Sequence, residues 1–89
     1  MNVTFDPAKD ALNQLNHHLS LANAVQLEWD TLQAMRDTRN NYGEVRMIGY
    51  AVMESRLYCV VFVDRGKTRR IISLRKANVR EVTKYAEND

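Results

Sequence analysis

Leu57-Tyr58-Cys59-Val60-Val61-Phe62-Val63 is apolar at every position and rich in β-branched and aromatic residues. A half-exposed strand would alternate, so this run reads as a central strand covered on both faces. Asp64-Arg65-Gly66-Lys67 follows as a hairpin turn, with a glycine available for positive φ. Thr68–Arg75 is then the next strand. Upstream, Glu54-Ser55-Arg56 makes a tight connection back to Val45–Met53, whose β-branched and aromatic residues suit a strand and whose Gly49 marks a bulge or close packing. A polar loop, Asp37 to Gly43, separates this from a candidate strand at Thr31–Arg36.

The flanks carry helix signals. After a short apolar start at Val3–Phe5, Asp6-Pro7 reads as N-cap and first helical residue. That helix runs to about His17 with Ala8, Ala11, Leu12 and Leu15 on one face. Ser20 is placed to cap a second helix carrying Leu21, Ala24, Val25 and Glu28/Trp29 at helical period. At the other end, Asn78 with Glu81 three residues on forms a capping-box variant opening the helix Val79–Ala86, with Val79, Val82 and Tyr85/Ala86 facing inward. The order written from these signals is β-α-α-β-β-β-α. It describes one domain over residues 1–89, an α+β fold in which three or four antiparallel strands carry two N-terminal helices and one C-terminal helix.

The apolar fraction of 45% and a single proline predict a packed globule rather than a disordered chain. No apolar run approaches the roughly 20 residues of a membrane span, and no signal-peptide pattern is visible. Cys59 reads as a buried core filler, and a cytoplasmic location is expected. Charge is unevenly spread. Residues 1–43 hold three basic against five acidic side chains, and residues 64–84 hold eight against two. Such a block attracts a polyanion, though a solvated charged face has the same count.

Strand alternation places Arg69, Ile71, Ser73 and Arg75 on one face of the Thr68–Arg75 strand and Arg70, Ile72 and Leu74 on the other. Two guanidiniums flanking a hydroxyl can grip successive phosphate oxygens. Arg80, in the first turn of the last helix, opposes the helix dipole, a conflict that an anion bound there would explain. Arg65 and Lys84 extend the patch, and Lys67 and Lys76 add charge, although a turn residue and a solvated lysine are the plainer readings of that last pair. His17-His18 has no metal-ligand cluster around it, but one of the pair, at His17, suits proton transfer near neutral pH. Trp29 and Tyr50 read as core or interface residues, and Tyr85 as a packing residue or a phenol offered to substrate. No catalytic triad spacing, P-loop, dinucleotide loop or HExxH occurs, so any catalysis is expected to use no nucleotide cofactor and no metal.

Phe5-Asp6-Pro7-Ala8-Lys9 with Asn13, His17 and Ser20, then Glu44-Val45-Arg46-Met47-Ile48-Gly49, Arg65-Gly66, Arg69-x-Ile71-Ile72-Ser73-x-Arg75-Lys76-Ala77 and Arg80-Glu81 with Tyr85 together resemble the BrnT toxins. The resemblance spans nearly the whole chain, and Ile-Ile-Ser-x-Arg-Lys-Ala is its most specific part. It implies a RelE-like fold and a type II toxin that arrests translation by cutting RNA without metal, through attack of the substrate's own 2′-OH. It also implies a BrnA-like antitoxin whose ribbon-helix-helix part binds operator DNA, so that DNA is reached only through the antitoxin. On matching positions it implies a site of Arg65, Arg69, Ser73, Arg75, Arg80, Tyr85 and His17. The basic patch adds Lys67, Lys76 and Lys84 as expected RNA contacts. The chain departs from the pattern at Asn16, where relatives carry lysine, and lacks their tryptophan before Asp-Pro. Two other functions fit the same surface: a non-catalytic binding module for nucleic acid or an acidic partner, and an inactive toxin relative kept for repression. An antitoxin segment, acidic or amphipathic, is expected over a sheet edge or the basic patch.

Overall fold

In the computed structural model, which describes residues 2–88, the apolar run is the middle of a five-stranded sheet. It lies in β4 (Arg56–Arg65), between β3 (Met47–Met53) and β5 (Thr68–Lys76), both antiparallel to it. β2 (Glu28–Arg36) continues the sheet antiparallel to β3, and β1 (Asn2–Phe5) closes the other edge parallel to β5, giving the order β1-β5-β4-β3-β2. All of Leu57–Val63 is buried. The fold is the α+β arrangement expected, with four antiparallel strands where the written order has three.

The core lies on one face, where Tyr58, Val60 and Phe62 of β4 meet Ile71 and Leu74 of β5 and Leu21, Ala24 and Leu27 from the segment before β2. That segment, Leu21–Gln26, is a 3-10 helix rather than the α-helix expected. Ser20 caps it as read, its Oγ accepting from the Ala22 N–H at 3.1 Å. With three residues per turn, Leu21, Ala24 and Leu27 align and bury, while Val25 is left 67% exposed.

The first helix, α1 (Pro7–His17), starts as predicted, with the Asp6 carboxylate accepting from the Ala8 N–H at 2.8 Å. Its inward face differs. Ala8, Ala11, Leu12 and Leu15 are exposed, and Asn13 is its one buried residue. β1 pairs with β5 only as far as Ile71, which leaves the Leu74 backbone without a strand partner on that side. The Asn13 amide takes the strand's place: its Oδ1 accepts from Leu74 N at 3.1 Å and its Nδ2 donates to Leu74 O at 2.8 Å. Burying these two groups unpaired would cost about 1–3 kcal/mol each, as much as the two exposed leucines forgo.

β2 begins three residues earlier than expected and contains an irregularity between Glu28 and Gln33. The Thr31 hydroxyl bridges the gap, accepting from Val52 N at 2.9 Å and donating to Glu28 O at 2.6 Å. The close-packing reading of Gly49 holds, because a Cβ there would meet Ala34, Gln33 and Leu32 atoms at 2.8 Å. The last helix, α2 (Val79–Glu87), opens with the full reciprocal capping box between Asn78 and Glu81. Val79 and Val82 do not face inward but are 83% and 45% exposed. Glu81 and Tyr85 are the half-buried residues.

Candidate active site at the end of β5

A bulge decides how β5 presents its arginines. Phe62 pairs with Ile71 and Val61 with Ser73, so Ile72 is an extra residue and the alternation inverts across it. Arg69 therefore shares the face of Phe62 and the core, whereas Ser73 and Arg75, opposite Val61 and Cys59, lie on the other face. The expectation of one face carrying Arg69, Ser73 and Arg75 fails for this reason.

The two ends of β5 differ in chemistry. At the hairpin end, the Arg69 guanidinium makes two hydrogen bonds to Asp64, at 2.7 and 2.9 Å. It stacks 4.2 Å from the Phe62 ring centroid and 4.8 Å from that of Trp29. Arg69 seals the core there. Arg65 is held by Glu44 at 2.7 Å, and Lys67 is exposed in the turn. Six residues along, about 20 Å away at strand rise, the other end is open. His17, the last residue of α1, lines a cleft of about 390 Å³ with Asn16, His18, Arg75 and Lys76. A smaller adjoining hollow of about 180 Å³ brings His17 together with Ser73 and Lys9. The fold thus unites His17, Ser73, Arg75 and Lys76, and separates them from Arg65, Lys67 and Arg69.

On its other side Arg75 is gripped by α2. Its two terminal nitrogens donate to the two Glu81 oxygens, each at 2.8 Å. The Tyr50 hydroxyl donates to the same carboxylate at 2.9 Å, and the Asn78 N–H completes its shell at 2.9 Å. The Arg75 guanidinium, first of these donors, holds the Glu81 carboxyl down to about 2. Burial, and then the Glu81 hydrogen bond, push the Tyr50 phenol well above its ordinary range. Burial likewise raises the Cys59 thiol, as befits an inert core cysteine.

A groove of about 470 Å³ runs between α2 and the β2–β3 side, with Arg80, Lys84 and Tyr85 on one wall and Met35, Ile48 and Tyr50 on the other. The Tyr85 hydroxyl donates to Thr31 O at 2.5 Å and so ties α2 across the groove. Tyr50 and Glu81 are the residues that sequence reasoning left out of the site. Glu81 had a complete local explanation as the cap residue, and nothing local marks Tyr50, which is 31 positions away. The polar loop before β3 is built around buried Asp37, which binds Arg39 at two points, 2.9 and 2.7 Å, and accepts from Tyr42.

An arginine, a lysine and a histidine around one cleft, with a hydroxyl in the hollow that adjoins it at His17, can hold a phosphodiester and move a proton beside it. A comparison with protein families finds that the model of the ribonuclease toxin BrnT, of type II toxin-antitoxin system, matches residues 5–81. A comparison with curated proteins finds no match. No described helix is long and apolar enough to cross a membrane.

Proposed function

The chain belongs to the BrnT family of ribonuclease toxins of type II toxin-antitoxin systems, and we propose that its catalytic centre is the cleft of His17, Ser73, Arg75 and Lys76, acting on RNA without a metal ion. The observation that carries this reading is their convergence from α1 and β5, elements joined by the Asn13–Leu74 hydrogen bonds. In this reaction the RNA 2′-oxygen forms a bond to the adjacent phosphorus as the bond to the 5′-oxygen breaks. His17 accepts the 2′-OH proton, and the 5′-oxygen leaves as a hydroxyl protonated by Lys76 or water. Arg75 and Lys76 bind the non-bridging oxygens, where charge grows in the transition state. Ser73 donates a hydrogen bond to the same phosphate. Arg80 and Lys84, on the groove wall, hold flanking nucleotides, and Arg65 and Lys67 draw the polyanion from a distance. Asn16 contributes no charge at the position where the family pattern has lysine, so the site depends for its cations on Arg75 and Lys76 in the cleft and Lys9 in the adjoining hollow.

Incubating the purified chain with RNA in EDTA tests the proposal. The expected product carries a 2′,3′-cyclic phosphate, and His17→Ala and Arg75→Ala abolish it. An intact RNA, or cleavage restored only by added metal, would refute it. The second reading, a binding module without catalysis, draws support from one observation: the Arg75 guanidinium is already engaged by Glu81. RNA retained but uncut would establish that reading instead.

A type II toxin has an antitoxin, and we infer a BrnA-like protein with a ribbon-helix-helix DNA-binding part. Leu12 and Leu15 on α1 and Val79 and Val82 on α2 leave apolar surface exposed, which suits an amphipathic segment covering it. Co-expression with the protein encoded beside it is expected to yield a stable complex that no longer cuts RNA.

A further inference from the structure

We propose that Arg75 and Tyr50 form a phosphate-binding subsite that the Glu81 carboxylate occupies in place of the substrate, so that α2 is a latch that RNA must lift. The inference rests on the RNA-cleaving reading above and adds to it the Tyr50 ligand and the competing group.

Three observations support it. The first is the geometry of occupancy. Arg75 donates two parallel bonds of 2.8 Å to Glu81 and Tyr50 donates a third of 2.9 Å. A fork of this kind accepts a carboxylate or a phosphate by the same two-point contact. Arg75 also lines the cleft that holds His17 and Lys76, so a phosphate drawn in by Lys76 meets a guanidinium whose two-point fork is already filled by Glu81.

The second is how lightly α2 is held. None of its residues is buried, and Val79 and Val82 contribute exposed rather than packed surface. Its side-chain bonds to the sheet are those of Glu81, together with the Tyr85 hydroxyl on Thr31 O. The helix itself carries no buried side chain that has to be returned to water when it moves.

The third is where the movement divides. The Ala77 N–H is pinned to Leu57 O at 3.0 Å, which fixes the chain up to the start of α2. The capping box joins Asn78 to Glu81 within the moving piece. Lifting α2 therefore breaks the Glu81 contacts with Arg75 and Tyr50 but keeps the helix capped. A purely structural carboxylate would be expected to lock the helix to the sheet by packing as well, and here it does not.

The test uses the whole chain and a 2′-O-methyl RNA oligonucleotide, which has no free 2′-OH to attack. Glu81→Gln keeps an oxygen for the Asn78 cap and removes the competing charge. It is expected to bind the oligonucleotide about tenfold tighter than the parent chain, the scale of one charge-assisted bond freed from competition. In the parent complex, amides of Thr83–Glu87 are expected to exchange faster than in the free protein. Equal or weaker binding by folded Glu81→Gln, or α2 amides that keep or gain protection on binding, would overturn the latch. Should Glu81→Gln fail to fold, Tyr85→Phe removes the other tether without touching Arg75. It must likewise tighten binding, and unchanged affinity sinks the idea. Inorganic pyrophosphate separates this inference from the RNA reading. If it binds Glu81→Gln but not the Arg75→Gln, Glu81→Gln double variant while the oligonucleotide binds neither, the anion subsite stands and the RNA reading fails. If pyrophosphate binding is indifferent to Arg75, the subsite itself is wrong.

Discussion

Arg69 and Arg75 stand six positions apart on one strand, yet the first is bound into the core wall and the second faces a cleft. Arg75→Ala is expected to cut RNA cleavage by about 100-fold or more, the scale of losing one preorganised donor to a developing oxyanion. Arg69→Ala is expected instead to cost about 1–2 kcal/mol of stability, read by urea denaturation, since it uncovers Phe62 and Trp29 and strands Asp64. Its cleavage, measured where it is still folded, should stay far closer to the parent's; the reverse ranking would put the site at the hairpin end. The sequence showed the charge of this strand but not its split, because Ile72 looks like any strand residue and a bulge is a property of the pair. Gly49 is the opposite case, a position legible in advance. Gly49→Ala is expected to destabilise by about 1–3 kcal/mol through overpacking, because its new methyl would sit 2.8 Å from Ala34 Cβ and Gln33 O. An unchanged urea midpoint would contradict that.

Among the elements, strands were read more accurately than helix faces, for a physical reason. β4 is buried on both faces and needs only apolarity, which composition reports directly. α1 and α2 dock through polar groups, Asn13 on Leu74 and Glu81 on Arg75 with Tyr50, so their apolar stripes point away from the contact. The hairpin between β3 and β4 shows a further compromise: Glu54 and Ser55 both take positive φ, 52° and 62°, without a glycine. Ser55→Gly is expected to raise stability by roughly 0.5 kcal/mol, relief of left-handed strain being partly offset by the looser unfolded chain; a lowered melting temperature would count against it. The α2 contact makes an acid-sensitive element. The Glu81 carboxyl sits at about 2 when folded, below its ordinary 4.5. Its stabilising contribution is therefore complete above about pH 4.5 and is lost as pH falls towards 2. The protection factors of the α2 amides, each corrected for intrinsic exchange at the same pH, should fall over that interval in the parent chain, and Glu81→Gln should remove that fall.

For the molecule as a whole, the eight basic residues of the block over 64–84 overstate what a polyanion can use. Arg65, Arg69, Arg70 and Arg75 are each paired with a carboxylate, Glu44, Asp64, Asp6 and Glu81 in turn. Lys67, Lys76, Arg80 and Lys84 have no such partner among the described residues. Only partner-free cations release counterions fully when they meet a phosphate. The logarithm of the binding constant for single-stranded RNA should therefore fall against the logarithm of salt with a slope of about −3, rather than the roughly −6 that eight free cations would give. Freeing Arg75 with Glu81→Gln should steepen that slope by about 0.7, one further phosphate neutralised. Lys76→Ala and Lys84→Ala should each flatten it by the same amount, whereas removing Arg69 should leave it unchanged. A parent slope near −6 would show that the ion pairs on this surface open whenever RNA arrives, and that the chain holds its substrate with the whole block after all.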